Sequence, residues 1–460
     1  MVGTGIKYLL GIGALWLAHS AQAQEPLRLN TSFNLPENLT IQGAYRVRIE
    51  GVDGRFRSGF EGTDQILVQR LVLLAEYDFG GVYVGAELQD SRQQLADEGT
   101  PIGTDDVNPA ELLQGYIGYR TQNAFLQGDA FDIKAGRMTL NIAPRRLSAR
   151  NGFRNTINSF NGVRADWTAP NGDELLAFYT LPVRRQPSDR ESLLDNQVVF
   201  DRESFNQRFW SVNYTRPDLF AGASGTLYIF GLQEEDNSDF ETRDRNLFTP
   251  GFRVNKPATV GEIDFEIDGA LQFGESNLSS NPAAPELDHF AQFFHAQLGY
   301  TFDGRGEIRL LAQYDFASGD NDPFDGDNNR FDTFFGARGF EYGQTGIFGP
   351  FARSNFHSFG ARIIGNPTDR INGLFSYRAA YLASSRDVFT TAGVQDVTGA
   401  AGNFIGHLVE TRWKFDVLPG NVQFEIGGSY LANGRFLQEA PNASPSGDTL
   451  YGYSQVTLKF

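Results

Sequence analysis

The sequence predicts an all-β protein: an antiparallel transmembrane β-barrel of about eighteen strands forming one unbroken unit. Three observations predict it. Apolar residues recur at every second place through most of the chain, the period of a strand and not of a helix. Beyond the first residues, no apolar run reaches the roughly 20 residues that a membrane-crossing helix needs. Tight turns alternate with long polar connections, as in a sheet whose two rims face different compartments.

The N-terminus reads as an address. Lys7 is the one early positive charge, Tyr8 to Ala18 is apolar, and Ala21-Gln22-Ala23 places small residues ahead of Gln24. That order is a secretory signal peptide, residues 1–23, and the apolar run is too short for an anchor. Residues 24–460 are then a single barrel, with no linker, low-complexity tract or break in composition. Only helices and closed barrels satisfy every backbone group in lipid, so closure is required.

The clearest strand runs from Glu262 to Phe273. Ile263, Phe265, Ile267, Leu271 and Phe273 share one face, opposite Glu262, Asp264, Glu266, Asp268 and Gln272. Leu39, Ile41, Tyr45, Val47 and Ile49 stand likewise against Gln42, Arg46, Arg48 and Glu50. In 370–382, Phe375, Tyr377 and Tyr381 oppose Asn372, Ser376 and Arg378. In 404–416, Ile405, Val409, Trp413 and Phe415 oppose Glu410, Arg412, Lys414 and Asp416. Noisier alternation predicts further strands near 65–79, 81–91, 110–120, 130–138, 160–169, 173–181, 205–215, 223–232, 248–256, 289–302, 305–317, 355–366, 420–431 and 447–460.

Asp303-Gly-Arg-Gly306, Pro367-Thr-Asp369 and Leu418-Pro-Gly-Asn421 suit short periplasmic turns, while 92–108, 183–203, 233–247, 275–288, 318–354, 384–402 and 432–446 suit extracellular loops. The chain closes on Val456-Thr-Leu-Lys-Phe460, alternating and ending in Phe, like the signal read by barrel-assembly machinery. Localisation in a bacterial outer membrane follows, with lipid and lipopolysaccharide around the wall. There are 0 cysteines, so disulfides and thiolate metal sites are excluded.

The 40 Phe, 51 Gly and only 2 Met suit strands that are apolar on alternate residues. The net charge is −17, and with no basic stripe a nucleic-acid partner is not expected. Of 39 basic residues only Lys7, Lys134, Lys256, Lys414 and Lys459 are lysine. Arginine offers a planar fork that pairs carboxylates bidentately; a codon bias toward arginine is the plain alternative.

Two passages point to a family. Phe131-Asp-Ile-Lys-Ala-Gly-Arg-Met-Thr-Leu140 is followed by Pro144-Arg-Arg-Leu147 and Arg154-Asn-Thr-Ile-Asn-Ser-Phe-Asn-Gly-Val-Arg164. The second is Tyr314-Asp-Phe-Ala-Ser-Gly-Asp-Asn-Asp-Pro-Phe-Asp-Gly-Asp327, then Phe331-Asp-Thr-Phe-Phe335. From about residue 40 to 460 the chain resembles the bacterial alginate export porins. The resemblance implies a monomeric 18-stranded barrel whose electropositive constriction passes an acidic polysaccharide. It assigns that constriction to Arg137, Arg145, Arg146, Arg154 and Arg164. The chain departs from the family at Phe160-Asn161-Gly162, where an aspartate is usual, and at Ala143-Pro144, where Gly-Asp is common.

Parity gives a pore without the name. Arg46, Arg48, Arg164, Arg309, Arg362, Arg378 and Arg412 fall on polar faces, beside Glu50, Asp166, Glu262, Asp264, Glu266, Glu410 and Asp416. Inward charges need water or partners, and a lumen of mixed sign suits a charged solute in single file. A salt-bridge lattice stiffening the wall is the other use of the same residues. Asp320, Asp322, Asp325 and Asp327, with Gly326, offer oxygens for Ca²⁺, although Pro323 interrupts the spacing and no distal Glu follows. A turn closed by Asx hydrogen bonds accounts for them equally. No other cofactor is expected.

His289, His295, His357 and His407 form no zinc-helix spacing, and no nucleophile elbow or P-loop appears, so an enzyme is not expected. The sequence therefore predicts an outer-membrane channel for acidic polysaccharide or uronate oligomers, aided by a periplasmic secretion partner. The alternatives are a general uptake porin for anions and sugar acids, or a non-conducting structural barrel.

Overall fold

The computed structural model describes residues 26–60, 62–236, 240–281 and 283–460; the expected signal peptide, 1–23, lies outside the described residues. The strands are β1 (Leu39–Asp53), β2 (Thr63–Asp78), β3 (Val82–Gln94), β4 (Asn108–Gln122), β5 (Ala130–Met138), β6 (Phe160–Thr168), β7 (Glu174–Pro182), β8 (Gln207–Phe220) and β9 (Ala223–Glu234). They continue as β10 (Asn246–Lys256), β11 (Ile263–Asn277), β12 (Glu286–Thr301), β13 (Arg309–Ala317), β14 (Asp327–Asn328), β15 (Phe356–Thr368), β16 (Ile371–Tyr381), β17 (Phe404–Leu418), β18 (Val422–Asn433) and β19 (Thr449–Lys459). Short helices α1 (Leu29–Ser32), α2 (Arg190–Leu194) and α3 (Arg435–Glu439) sit at the rims.

The two-residue β14 belongs to a loop and lies parallel to β12. The others form a closed 18-strand antiparallel barrel, and each position expected to hold a strand holds one. Closure comes from β1 against β19, in register from Ala44↔Lys459 to Asp53↔Leu450. Phe460 extends it, exchanging backbone bonds with Gly43 at 2.9 and 3.1 Å. Its ring lies over Gly43, where an added Cβ would approach ring carbons to 2.4 Å. Only glycine leaves room for the terminal aromatic.

The period-two pattern sorts water from lipid. On β11, Ile263, Ile267, Leu271 and Phe273 are exposed on the outer face while Asp264, Glu266, Asp268 and Gln272 are buried inside. No described helix is long and apolar enough to cross a membrane, so the strands carry the crossing.

On β17 the parity reading needs a correction. Ile405 was expected on the outer face with Val409, yet it is buried in an interior apolar cluster. The ladder to β16 shifts between Ala380 and Tyr381, and Gly406 takes φ +150° there. One extra residue in a strand reverses the facing of everything beyond it.

The interior is not an open tube. One apolar cluster gathers Val52, Phe56, Ile66, Val68, Phe348 and Tyr451. A second gathers Met138, Phe160, Phe209, Phe230, Phe293 and Phe331. Both seat long loops that fold back inside the wall.

Candidate pore constriction

Two connections build the interior shelf: 139–159 between β5 and β6, and 318–355 between β13 and β15. They pair with each other through backbone. Phe335 N–H donates to Leu147 O at 3.1 Å, Ala149 N–H to Phe335 O at 3.2 Å, and Ala337 N–H to Arg145 O at 2.8 Å. Gly336 permits this, since a Cβ there would lie 1.8 Å from the Arg146 carbonyl oxygen. The segment 139–159 was not among the long loops expected from sequence.

Inward arginines fasten the shelf to the wall. Arg46 donates to Gly152 O at 2.8 Å, Phe153 O at 3.1 Å and Arg154 O at 2.8 Å. Arg48 pairs with Glu50 at 2.7 Å, donates to Phe153 O at 2.6 Å and stacks 4.1 Å over the Phe153 ring. Glu50 in turn accepts from Ile347 N–H at 3.0 Å and from the Tyr451 hydroxyl at 2.8 Å. Arg378 bonds Asp315 at 2.7 Å and the Glu341 carbonyl at 3.0 Å. Glu410 accepts from Gln344 at 2.8 Å.

Glu341 is the hub of this network. Its carboxylate meets Arg146 at 2.6 Å and also Arg353, while Arg146 reaches Glu266 at 2.5 Å and Asp268 at 2.7 Å. Burial opposes the Glu341 charge, but Arg146, Arg353 and His295 hold its carboxyl well below the usual carboxylate range. Arg154 and Arg185 converge on Asp105 at 2.7 and 2.6 Å. Burial would raise Asp105, but Arg154, Arg185 and Arg338 keep it low.

The remaining expected lining residues divide. Arg164 closes on Asp166 at 2.7 Å, and Arg309 pairs with Asp264 through Nε at 3.0 Å. Arg362 donates to the carbonyls of Phe340, at 2.9 Å, and Glu341. Arg145 lies 4.5 Å over the Phe340 ring. The buried Nε of Arg412 has no partner among the described residues. Among the described residues, Arg46, Arg145, Arg362 and Arg412 meet no carboxylate. Arg145, Arg146, Arg253, Glu266, Glu341 and Arg362 border a cavity of about 470 Å³.

Arg137 requires correction. It pairs with Gly115 across to β4, in the same register as Ile117↔Ala135, and Ile117 is exposed on the outer wall. Strand alternation therefore turns Arg137 outward, where Glu111 at 2.7 Å and Glu203 at 3.0 Å hold it. The loop expected to offer Ca²⁺ ligands is held by its own backbone. Asp320, Asp322 and Asp325 accept from the backbone N–H groups of Asp322, Phe324 and Asp327, which are Asx turns. Among the described residues, the side chains that converge as ligands are instead His295, Asp315 and Glu341, and arginines already neutralise those carboxylates.

Sequence reasoning missed Arg70, Arg353, His295, Asp315 and Glu341. Glu341 and Arg353 lie in a loop, where no parity exists to find them. Arg70 lies on β2, whose inward Ile66 and Val68 are buried against the shelf, so both faces of that strand read as apolar.

A closed barrel with a lipid-facing apolar belt and a charged, loop-narrowed interior defines a porin-type channel of the bacterial outer membrane, not an enzyme. Solved porins share the fold: OccK8 (OprE) of Pseudomonas aeruginosa superposes with a TM-score of 0.59 at 12% identity, covering 92% of this chain and 98% of that one. OccAB1 of Acinetobacter baumannii gives 0.56 at 13%, covering 96% and 99%, and OprD of Pseudomonas aeruginosa 0.55 at 15%, covering 92% and 94%. No curated protein matches the chain in sequence. The alginate export family matches residues 37–447, and the chain belongs to that family.

Proposed function

We propose that this barrel passes acidic polysaccharide or uronate oligomers across the outer membrane, with lumenal arginines serving as transient counter-ions for the carboxylates. The observation that carries the reading is the cavity bordered by Arg145, Arg146, Arg253 and Arg362. Two of these four, Arg145 and Arg362, form no ion pair among the described residues. An arginine without a carboxylate, in a site of low dielectric, is stabilised by a passing anion more than a paired one is. The family supports the acidic polymer. Export would draw its energy, and a periplasmic secretion partner, from outside the barrel.

A second reading is uptake of single sugar acids. The two apolar clusters and the paired loops fill much of the lumen, which favours a thin solute over a bulky one. Single-channel recording in a planar bilayer tests both. Anion-selective openings blocked by uronate oligomers support the polymer path, and block by monomers alone supports uptake. A silent or cation-selective barrel would sink the counter-ion mechanism and leave a structural role.

A further inference from the structure

A second cavity, of about 220 Å³, opens higher on the same wall, where β10, β11 and β12 meet the long loops. Arg243, Arg245, Arg330, Asp332, His289 and Phe331 are among its lining. Along β11 and β12, Ala270, Ala291 and Phe293 of the second apolar cluster stand between Ser276 and His289, which line it, and Glu266 and Gln297, which line the lower cavity.

The charges of the upper cavity are unevenly matched. Arg245 is held by Glu234 and Asp332, each at 2.7 Å. Arg330 is held by Asp387 through Nε at 2.8 Å. Among the described residues, Arg243 donates only through Nε, to the Asn277 carbonyl at 3.2 Å, and meets no carboxylate. Burial, and then the neighbouring Arg245, push its guanidinium pKa below the ordinary value. The terminal nitrogens of its fork are left for an anion.

His289 supplies the second half. Its Nε2 lies 3.0 Å from Gln272 Oε1, an oxygen that already accepts from Asp332 N–H at 2.8 Å. The Gln272 amide nitrogen faces Thr249 Oγ1 and the Asp332 carbonyl. With that oxygen fixed as an acceptor, Nε2 carries the proton and Nδ1 is a free lone pair. Among the described residues Nδ1 is buried without a partner, in a residue only 4% exposed. Phe331 adds an apolar face, packed on Phe293 at 5.5 Å.

A fork that wants a carboxylate and a ring nitrogen that wants a hydroxyl select a hydroxy acid. We propose that the upper cavity is a binding site for a single sugar-acid residue, with Arg243 on the carboxylate and His289 Nδ1 accepting from a hydroxyl. The proposal deepens the reading above and rests on it for the class of ligand. It places a holding station on the extracellular side of the apolar cluster, apart from the arginines of the lower cavity.

Equilibrium dialysis of the full chain in detergent micelles against glucuronate, with glucose and acetate as comparison solutes, tests it. Wild type should bind glucuronate more tightly than either comparison solute. Arg243→Gln and His289→Leu should each weaken one equivalent by about tenfold or more, the scale of a lost charged or buried hydrogen bond. Ala352→Leu, which fills the cavity without touching charge, should remove the same equivalent, and circular dichroism verifies that each variant retains its sheet. Equal binding by wild type and all three variants would overturn the site. Equal binding of glucose and glucuronate would overturn the carboxylate recognition. Arg362→Gln separates this from the channel reading: it should abolish uronate block of the current and leave the Arg243-dependent equivalent in place.

Discussion

Arg46 on β1 and Arg70 on β2 stand directly opposite each other in the antiparallel ladder, and both donate to the same carbonyl oxygen, that of Arg154, at 2.8 Å. Like charges facing across a strand pair are destabilising. Here the repulsion is offset by the carbonyls of Gly152 and Arg154, to which both guanidiniums donate. The expected consequence is unequal dependence. Arg46 binds three consecutive carbonyls, so Arg46→Ala should raise amide hydrogen exchange of residues 150–158 by about tenfold or more. Arg70→Ala should raise it less, because Arg46 still covers both shared oxygens and the repulsion is gone. Equal exchange in the two variants would contradict this division.

Glu341 ties the second loop to the first through Arg146, which itself reaches Glu266 and Asp268 of the wall, and braces its own loop through Arg353. Removing one member of a buried charge network leaves its partners uncompensated, at a cost of about 3–5 kcal/mol. Glu341→Gln should therefore detach the paired loops and leave the barrel closed, since no strand-to-strand bond involves that side chain. Bilayer recording should find larger and noisier openings than in wild type. Unchanged conductance together with unchanged exchange in 330–350 would remove Glu341 from this role.

Neighbouring carboxyls Asp105 and Asp106 are driven apart. Arginines hold Asp105 low, while burial, then Asp105 and Glu50, push Asp106 up to about 7 from 3.8. The folded chain thus keeps a proton that the unfolded chain has lost, and stability falls as pH rises from about 4 to about 7, then stays level. Each unit of separation corresponds to about 1.4 kcal/mol, so the loss is roughly 4 kcal/mol at most. Asp106→Asn preserves the acceptor for Gly103 N–H and removes the charge. Its guanidinium midpoint should exceed wild type at pH 8 and match it at pH 4. A gain of the same size at both values would mean that the native carboxyl does not titrate in that window.

The barrel was legible because lipid imposes parity: Ile263 to Phe273 could only face outward if Asp264 to Gln272 faced in. Parity failed where the wall is bulged, as at Gly406, and where the inside is apolar, as at Ile66 and Val68. It has no meaning in loops, which is why Glu341 and the pairing of Leu147 with Phe335 left no trace in the sequence pattern. Arg137 shows the converse. The family passage drew it into the constriction, while its own strand register, shared with Ile133, turned it out.

That difference between Arg137 and Arg362 yields a test that does not depend on any substrate. A charge beside the conduction path sets the local ion concentration, while one on the outer wall is screened by the barrel and by its own Glu111 and Glu203 partners. Arg362→Gln removes an inward cation that meets no carboxylate among the described residues, so the reversal potential in a salt gradient should move toward cation selectivity. Adding Arg145→Gln should move it further in the same direction, because the two border one cavity. Arg137→Gln should leave the reversal potential where it was. A shift of equal size from Arg137→Gln would mean that selectivity follows the net charge of the chain and not the lumenal arginines, and the counter-ion mechanism would lose its physical basis.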